Sequence, residues 1–252
     1  MTAKKAAISN SKGGVGKTTT VTTLGHALAL RGKRSLIVDF DPQGQCATAL
    51  GLNPEPCVFN LLISPNNNPR QWVRDTGREN LYLIPGDRST ATAQIVLNAE
   101  NRAITGVADA IESLAKEYDY ILFDTAPSAG GLQERAIWAS DLVIIPAATE
   151  FLSIDGIRQM AGMMADLTSK HAWKGALLGV LPTFYDTVTK QSRIAMQSLN
   201  GTFGERLLHP IRRATILREC AADGMSIWEK DPNCAVADDY DRLVNIMTKQ
   251  RR

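Results

Sequence analysis

Residues 9–20 read SNSKGGVGKTTT. A phosphate loop of the G-x-x-x-x-G-K-[ST] type opens on a glycine, yet five places before Gly16 stands Ser11. Beside it is a second lysine, Lys12, ahead of the expected Lys17. The context is right for such a loop. An apolar run, AAIS (6–9), precedes it, and Val21, Leu24, Leu28 and Leu30 then recur at helical spacing before a second run, SLIVDF (35–40). This is a strand–loop–helix–strand unit. Gly13, Gly14, Val15 and Gly16 make a cradle whose backbone can pass close to phosphate oxygens. A helix opening at Lys17 adds its positive end. Lys17 is placed to reach the β- and γ-phosphates of a nucleotide, Thr18 to offer a hydroxyl to Mg²⁺, and Thr19 to bind the phosphate chain.

A triphosphate site also needs carboxylates for the metal, and two strand ends supply them. SLIVDFDPQGQ places Asp39 and Asp41 at and just past the second run, and YDYILFDTAP places Asp124 at the end of another. A lone aspartate at a strand end is often a turn former; two such ends beside a phosphate loop point to metal binding. The reading gives Mg²⁺ Thr18 directly and Asp39 and Asp124 through water, in keeping with an ion that retains much of its hydration.

Farther along the chain, apolar runs at 81–85, 120–124, 142–146 and 176–184 alternate with helical patterns at 102–117, 131–139, 153–170, 188–200 and 235–249. Buried strands separated by helices predict an α/β P-loop fold: a mostly parallel, twisted sheet with helices on both faces. The whole of 1–252 reads as one domain. Residues 53–80, punctuated by PEP and SPNNNP, read as a surface excursion within it.

Composition narrows the function classes. With 44% hydrophobic and 21% charged residues and a net charge of +2, the chain is no polycation, so any anionic partner must be held by a local patch. The four cysteines are scattered without a C-x-x-C pair, which argues against a zinc site or redox pair and fits reduced thiols in a cytoplasmic protein. No apolar run has the length of a signal peptide or a membrane span.

The motifs KGGVGKTTT, DFDPQGQ, DTAPS and SDLVIIPAATE, in that order, resemble the ParA/MinD family of deviant Walker ATPases, and the ParA branch more closely through DPQGQ. In that family the motif is K-G-G-x-x-K-[ST], so the missing first glycine is no departure. The resemblance implies an ATPase with ATP and Mg²⁺ as cofactors, slow alone and faster with a partner. It implies a sandwich homodimer formed on ATP, in which Lys12 crosses to the phosphates of the other subunit. Lys12, Lys17 and Asp41 are then the catalytic set, Asp41 orienting the attacking water. The base pocket is expected near Pro182, Thr183 and the 210 region.

The same resemblance implies sequence-independent DNA binding and a nucleoid-associated protein that positions a plasmid, chromosome or protein assembly through a ParB-like adaptor. HPIRRATILREC supplies Arg212, Arg213 and Arg218 as the DNA-contacting set, with Arg206, Lys230, Lys249, Arg251 and Arg252 as extensions. About four residues precede the first strand, so no operator-binding domain is expected there. A rival reading is a MinD-like membrane-surface regulator, with Leu243, Val244, Ile246 and Met247 as a lipid-facing stripe; a packed final helix is the favoured alternative. His26, the four tryptophans and Met160, Met163 and Met164 read as packing residues. No cysteine lies in 125–140, which argues against an iron–sulfur cluster.

Overall fold

The computed structural model describes residues 2–64, 68–127, 131–150 and 154–249. Seven strands are found among them: β1 (Lys4–Ile8), β2 (Ser35–Phe40), β3 (Arg74–Asp75), β4 (Leu81–Ile84), β5 (Tyr120–Thr125), β6 (Leu142–Ala148) and β7 (Ala176–Thr183). They form one sheet in the order β3-β4-β2-β5-β1-β6-β7. Every pairing is parallel except that of the short edge strand β3 with β4.

The helices are α1 (Lys17–Leu30), α2 (Gln45–Ala49), α3 (Cys57–Ile63), α4 (Ser89–Ala99), α5 (Gly106–Ile111), α6 (Leu132–Trp138), α7 (Ile154–His171), α8 (Lys190–Phe203), α9 (Ile216–Asp223), α10 (Ile227–Lys230) and α11 (Ala235–Lys249). Both sheet faces are covered. Successive strand residues point to opposite faces. Leu36, Val38, Ile121, Phe123, Val143 and Ile145 accordingly join one core with α3 to α7, while Ile37, Leu122 and Ile144 join another with α1 and α11. Near-continuous apolar strands are the consequence of this two-sided burial.

Two expectations need correction, and one helix is new. Residues 53–80 are not merely a surface excursion: α3 buries Cys57, Val58, Leu61 and Leu62 in the core, while 65–67 fall outside the described residues. The 102–117 helix is shorter, being α5 followed by a turn of 3₁₀ helix at Leu114–Lys116. Between β4 and α5 an additional helix, α4, docks through Thr90, Ala93 and Leu97. The stripe on α11 faces inward: Leu243, Val244 and Met247 are buried and Ile246 is half-buried against the same core, so the packed reading of this helix holds. Met160 and Met164 are core residues, as expected.

Candidate nucleotide and metal site

The loop leaves β1 and enters α1 across the carboxyl end of the sheet, where ligands of open α/β folds bind. Gly16 takes φ +84° at the first turn of α1, a left-handed backbone that a side chain would strain. Asn10 anchors the loop. Its side-chain amide donates to the Pro146 carbonyl (2.7 Å), and its Oδ1 accepts from the Lys12 N–H (3.0 Å). Lys17 Nζ donates back to the Lys12 carbonyl (3.0 Å). Burial pushes the Lys17 amine below its usual range, and the charges of Asp124 and Asp41 pull in the opposite direction. A buried ammonium that donates to a backbone carbonyl, and to no carboxylate among the described residues, is well placed to receive an anion.

The sheet register brings the carboxylates together. β2 and β5 are neighbours, and Asp39 lies directly opposite Asp124. Both are fully buried. Asp39 accepts from the N–H groups of Asp41 and Cys46, at 3.0 Å each. Asp124 Oδ2 accepts from the Thr18 hydroxyl (2.7 Å) and the Cys46 thiol (3.3 Å). Asp124 Oδ1 is buried without a partner among the described residues. Burial pushes Asp124 up to about 6, against the pull of the Thr18 hydrogen bond. Asp39 lies well above the carboxylate range, first through burial and then through the charge of Asp124. Two adjacent carboxylates out of water need a cation, and an orphaned carboxylate oxygen beside a hydroxyl is a hard-oxygen donor set of the kind Mg²⁺ takes. Asp41 lies farther out, its Oδ1 accepting from the Gln43 N–H (2.9 Å). Gly44, at φ +61°, completes this turn where a side chain would meet the Gly86 carbonyl.

Two cavities open on the loop. The first, of about 520 Å³, is lined by Gly13 to Thr19, Asp41, Pro42 and Pro127. The second, of about 380 Å³, is lined by Gly16, Thr19, Thr183, Phe184, Ile211 and Leu217, among others. This second cavity lies beside Thr183 and the 210 region, where the base pocket is expected. Thr183 ties it to the loop by donating to the Val15 carbonyl (2.9 Å). Pro182 is buried within β7, its carbonyl accepting from the Ile211 N–H (2.8 Å). Phe184, which the sequence reading did not single out, borders both cavities with φ +53°. That backbone conformation is uncommon for an aromatic residue and concentrates at functional positions.

Arg212, Arg213 and Arg218 are brought together on the rim of the second cavity. Arg212 is engaged with the buried Asp239, to which its Nε and Nη2 donate at 2.7 and 2.8 Å. Arg213 pairs with Glu150. Arg218 is exposed on α9. Of the suggested extensions, Arg206 donates to the Leu177 carbonyl and Lys230 pairs with Asp223 and Glu219, whereas Arg251 and Arg252 lie outside the described residues.

Comparison with known proteins agrees with this architecture. Residues 3–174 match a family model described as an AAA domain. Over 242 residues the chain is 35% identical to the sporulation initiation inhibitor protein Soj of Bacillus subtilis, covering 94% of this chain and 95% of that protein. It is 33% identical over 237 residues to the chromosome-partitioning ATPase Soj of Treponema pallidum, covering 93% and 92%. The chain belongs to the ParA/Soj family. This ParA-family fold also matches cobyrinic acid a,c-diamide synthase from Mycobacterium smegmatis, solved with a bound ATP analogue and magnesium. The TM-score is 0.86 at 27% identity, covering 98% and 94% of the two chains. Among the described residues of the ParA-family chain, no helix is long and apolar enough to cross a membrane.

Proposed function

We propose that this ParA-family chain is an ATP-switched positioning ATPase: it dimerises on Mg²⁺–ATP, binds DNA without sequence preference, and is released when an adaptor stimulates hydrolysis. The observation that carries the reading is the convergence of Lys17 and Thr18 on two buried carboxylates, Asp39 and Asp124, one of them with an orphaned oxygen. Thr18, Asp39 and Asp124 would hold Mg²⁺, which when bound supplies charge neutralisation for the β- and γ-phosphates.

The chain's own groups divide the remaining work. Lys17 carries the charge of the terminal phosphates, and the backbone of Gly13 to Gly16 cradles the chain of phosphates. The base enters the 380 Å³ cavity, where Phe184 gives it a ring face and Thr183 holds that wall to the loop. Asp41, lining the phosphate cavity, orients the attacking water. Lys12 reaches the phosphates of the partner subunit, which ties dimer stability to the triphosphate. Arg213 and Arg218 neutralise DNA phosphates, so binding weakens steeply with salt. Arg212 is committed to Asp239 and contributes less.

The membrane-surface alternative is poorly supported, because the stripe it would insert is packed in the core. The test uses purified protein with non-hydrolysable ATP, random DNA across a salt series, and anionic liposomes. DNA binding that requires nucleotide and is lost in Arg213→Ala and Arg218→Ala supports the proposal. Nucleotide-dependent liposome pelleting without DNA binding overturns it.

A further inference from the structure

The sequence offered no cysteine at metal-ligand spacing, but the fold builds such a grouping from distant segments. Cys46 sits in the first turn of α2, and its thiol donates to Asp124, 78 residues away. Cys46 Sγ, an oxygen of Asp39 and an oxygen of Asp124 all lie within 4.8 Å of one another, and all three residues are fully buried. Asp124 adds a second, buried oxygen with no partner among the described residues. Mg²⁺ makes no use of a sulfur ligand. One sulfur and two carboxylate oxygens instead form the three-protein-ligand set of a zinc-class ion whose fourth position is open to water. Thr18 and Gln45 line the cavities above, so the cluster lies one side chain beneath open space.

We propose that Asp39, Cys46 and Asp124 form a binding site for a thiophilic divalent cation of the zinc and cadmium class, filled without nucleotide and antagonistic to Mg²⁺–nucleotide. As the metal–sulfur bond forms, the thiol proton leaves to solvent and no oxidant or reductant is involved. Both cations draw on the Asp124 carboxylate, so they compete for one residue. The antagonism rests on the nucleotide reading above; the cation site does not.

The experiment is a Cd²⁺ titration of the full chain without nucleotide, following the ultraviolet thiolate-to-cadmium band. In Cys57→Ser/Cys220→Ser/Cys234→Ser, where Cys46 is the remaining cysteine, the band should saturate at one Cd²⁺ per chain. Cys46→Ser should lose the corresponding tight component, and Asp124→Asn should weaken it by about tenfold or more. Added Zn²⁺ should displace the Cd²⁺. Far-UV circular dichroism reports whether each variant is folded. Should the triple variant unfold, the difference between the wild type and Cys46→Ser decides. A Cys46→Ser chain with the wild-type titration overturns the site. If the band forms but Mg²⁺–ATP leaves the Cd²⁺ affinity unchanged, the antagonism is overturned and the site stands.

Discussion

Asp124 and Asp239 are both aspartates withdrawn from water in the same fold, yet their surroundings treat the charge in opposite ways. Asp239 on α11 accepts three hydrogen bonds from Arg212, two from the guanidinium and one from the backbone N–H, with His209 also close. Burial works to raise its carboxyl, but the Arg212 bonds outweigh it and hold the carboxyl below the usual range. Asp124 has two neutral donors and an oxygen with no partner among the described residues; burial pushes it up to about 6, and the Thr18 and Cys46 bonds and the charge of Lys17 offset this only in part. The first arrangement stabilises the chain by itself. The second, with Lys17 as its opposing charge and burial still dominant, is destabilising until a further cation arrives, which is how a functional site differs from a structural ion pair.

The largest effects fall on turnover. Lys17→Ala removes the cation proposed to face the phosphates and should lower ATP hydrolysis by roughly 10³-fold, measured by phosphate release. Asp41→Ala should lower it by about 10²-fold while leaving the proposed ATP-dependent dimer intact by light scattering; full hydrolysis would remove the role proposed for Asp41. Neither substitution should disturb the Asp239 side of the contrast.

Stability carries the next largest effect. Asp239→Ala strips a buried acceptor from Arg212, whose side chain is 47% exposed and can turn to water. A loss of about 2–3 kcal/mol in denaturant unfolding is expected, less than for a fully buried pair. A neutral outcome would erase the contrast from the structural side.

The smallest effect is a pH dependence of opposite sign at the two sites. Asp239 has a depressed carboxyl, so its contribution is present above the unfolded value near 4 and fades as pH falls below it. Asp124 has a raised one. Its penalty is absent below about 4, grows as pH rises, and is complete above about 6. The Tm advantage of nucleotide-free Asp124→Asn over the wild type should therefore be larger at pH 7 than at pH 5.

How much of this was readable in the chain follows from how local each signal is. β1, β2, β4, β5, β6 and β7 announced themselves because both sheet faces are covered and their strands are almost wholly apolar. The loop was readable because Gly13 to Thr19 are contiguous. α4 was not, since STATAQIVLNA mixes Ala with β-branched Thr, Ile and Val and its N-cap, Arg88, makes no side-chain cap, so tertiary packing of Thr90, Ala93 and Leu97 decides it. α3 was masked by the prolines on either side of it. Phe184 has no motif, only a positive φ that appears once the chain is folded. Cys46 and Asp124 meet only through the β2–β5 register. Asp239 carries no motif either, because its pairing with Arg212 depends on a contact between α11 and the segment ahead of α9.

The measurement that bears most directly on the central claim, that the buried Asp124 cluster is left short of positive charge for a cation and nucleotide, is a thermal unfolding crossover. Wild type and Asp124→Asn would be melted near pH 7.5 with and without saturating Mg²⁺–ATP. The account predicts the variant to be the more stable without ligand. At about 100-fold excess over Kd, ligand should raise the wild type by about 2.7 kcal/mol and the variant by much less, reversing the order. A variant that is less stable without ligand, and gains as much from Mg²⁺–ATP as the wild type, would contradict it.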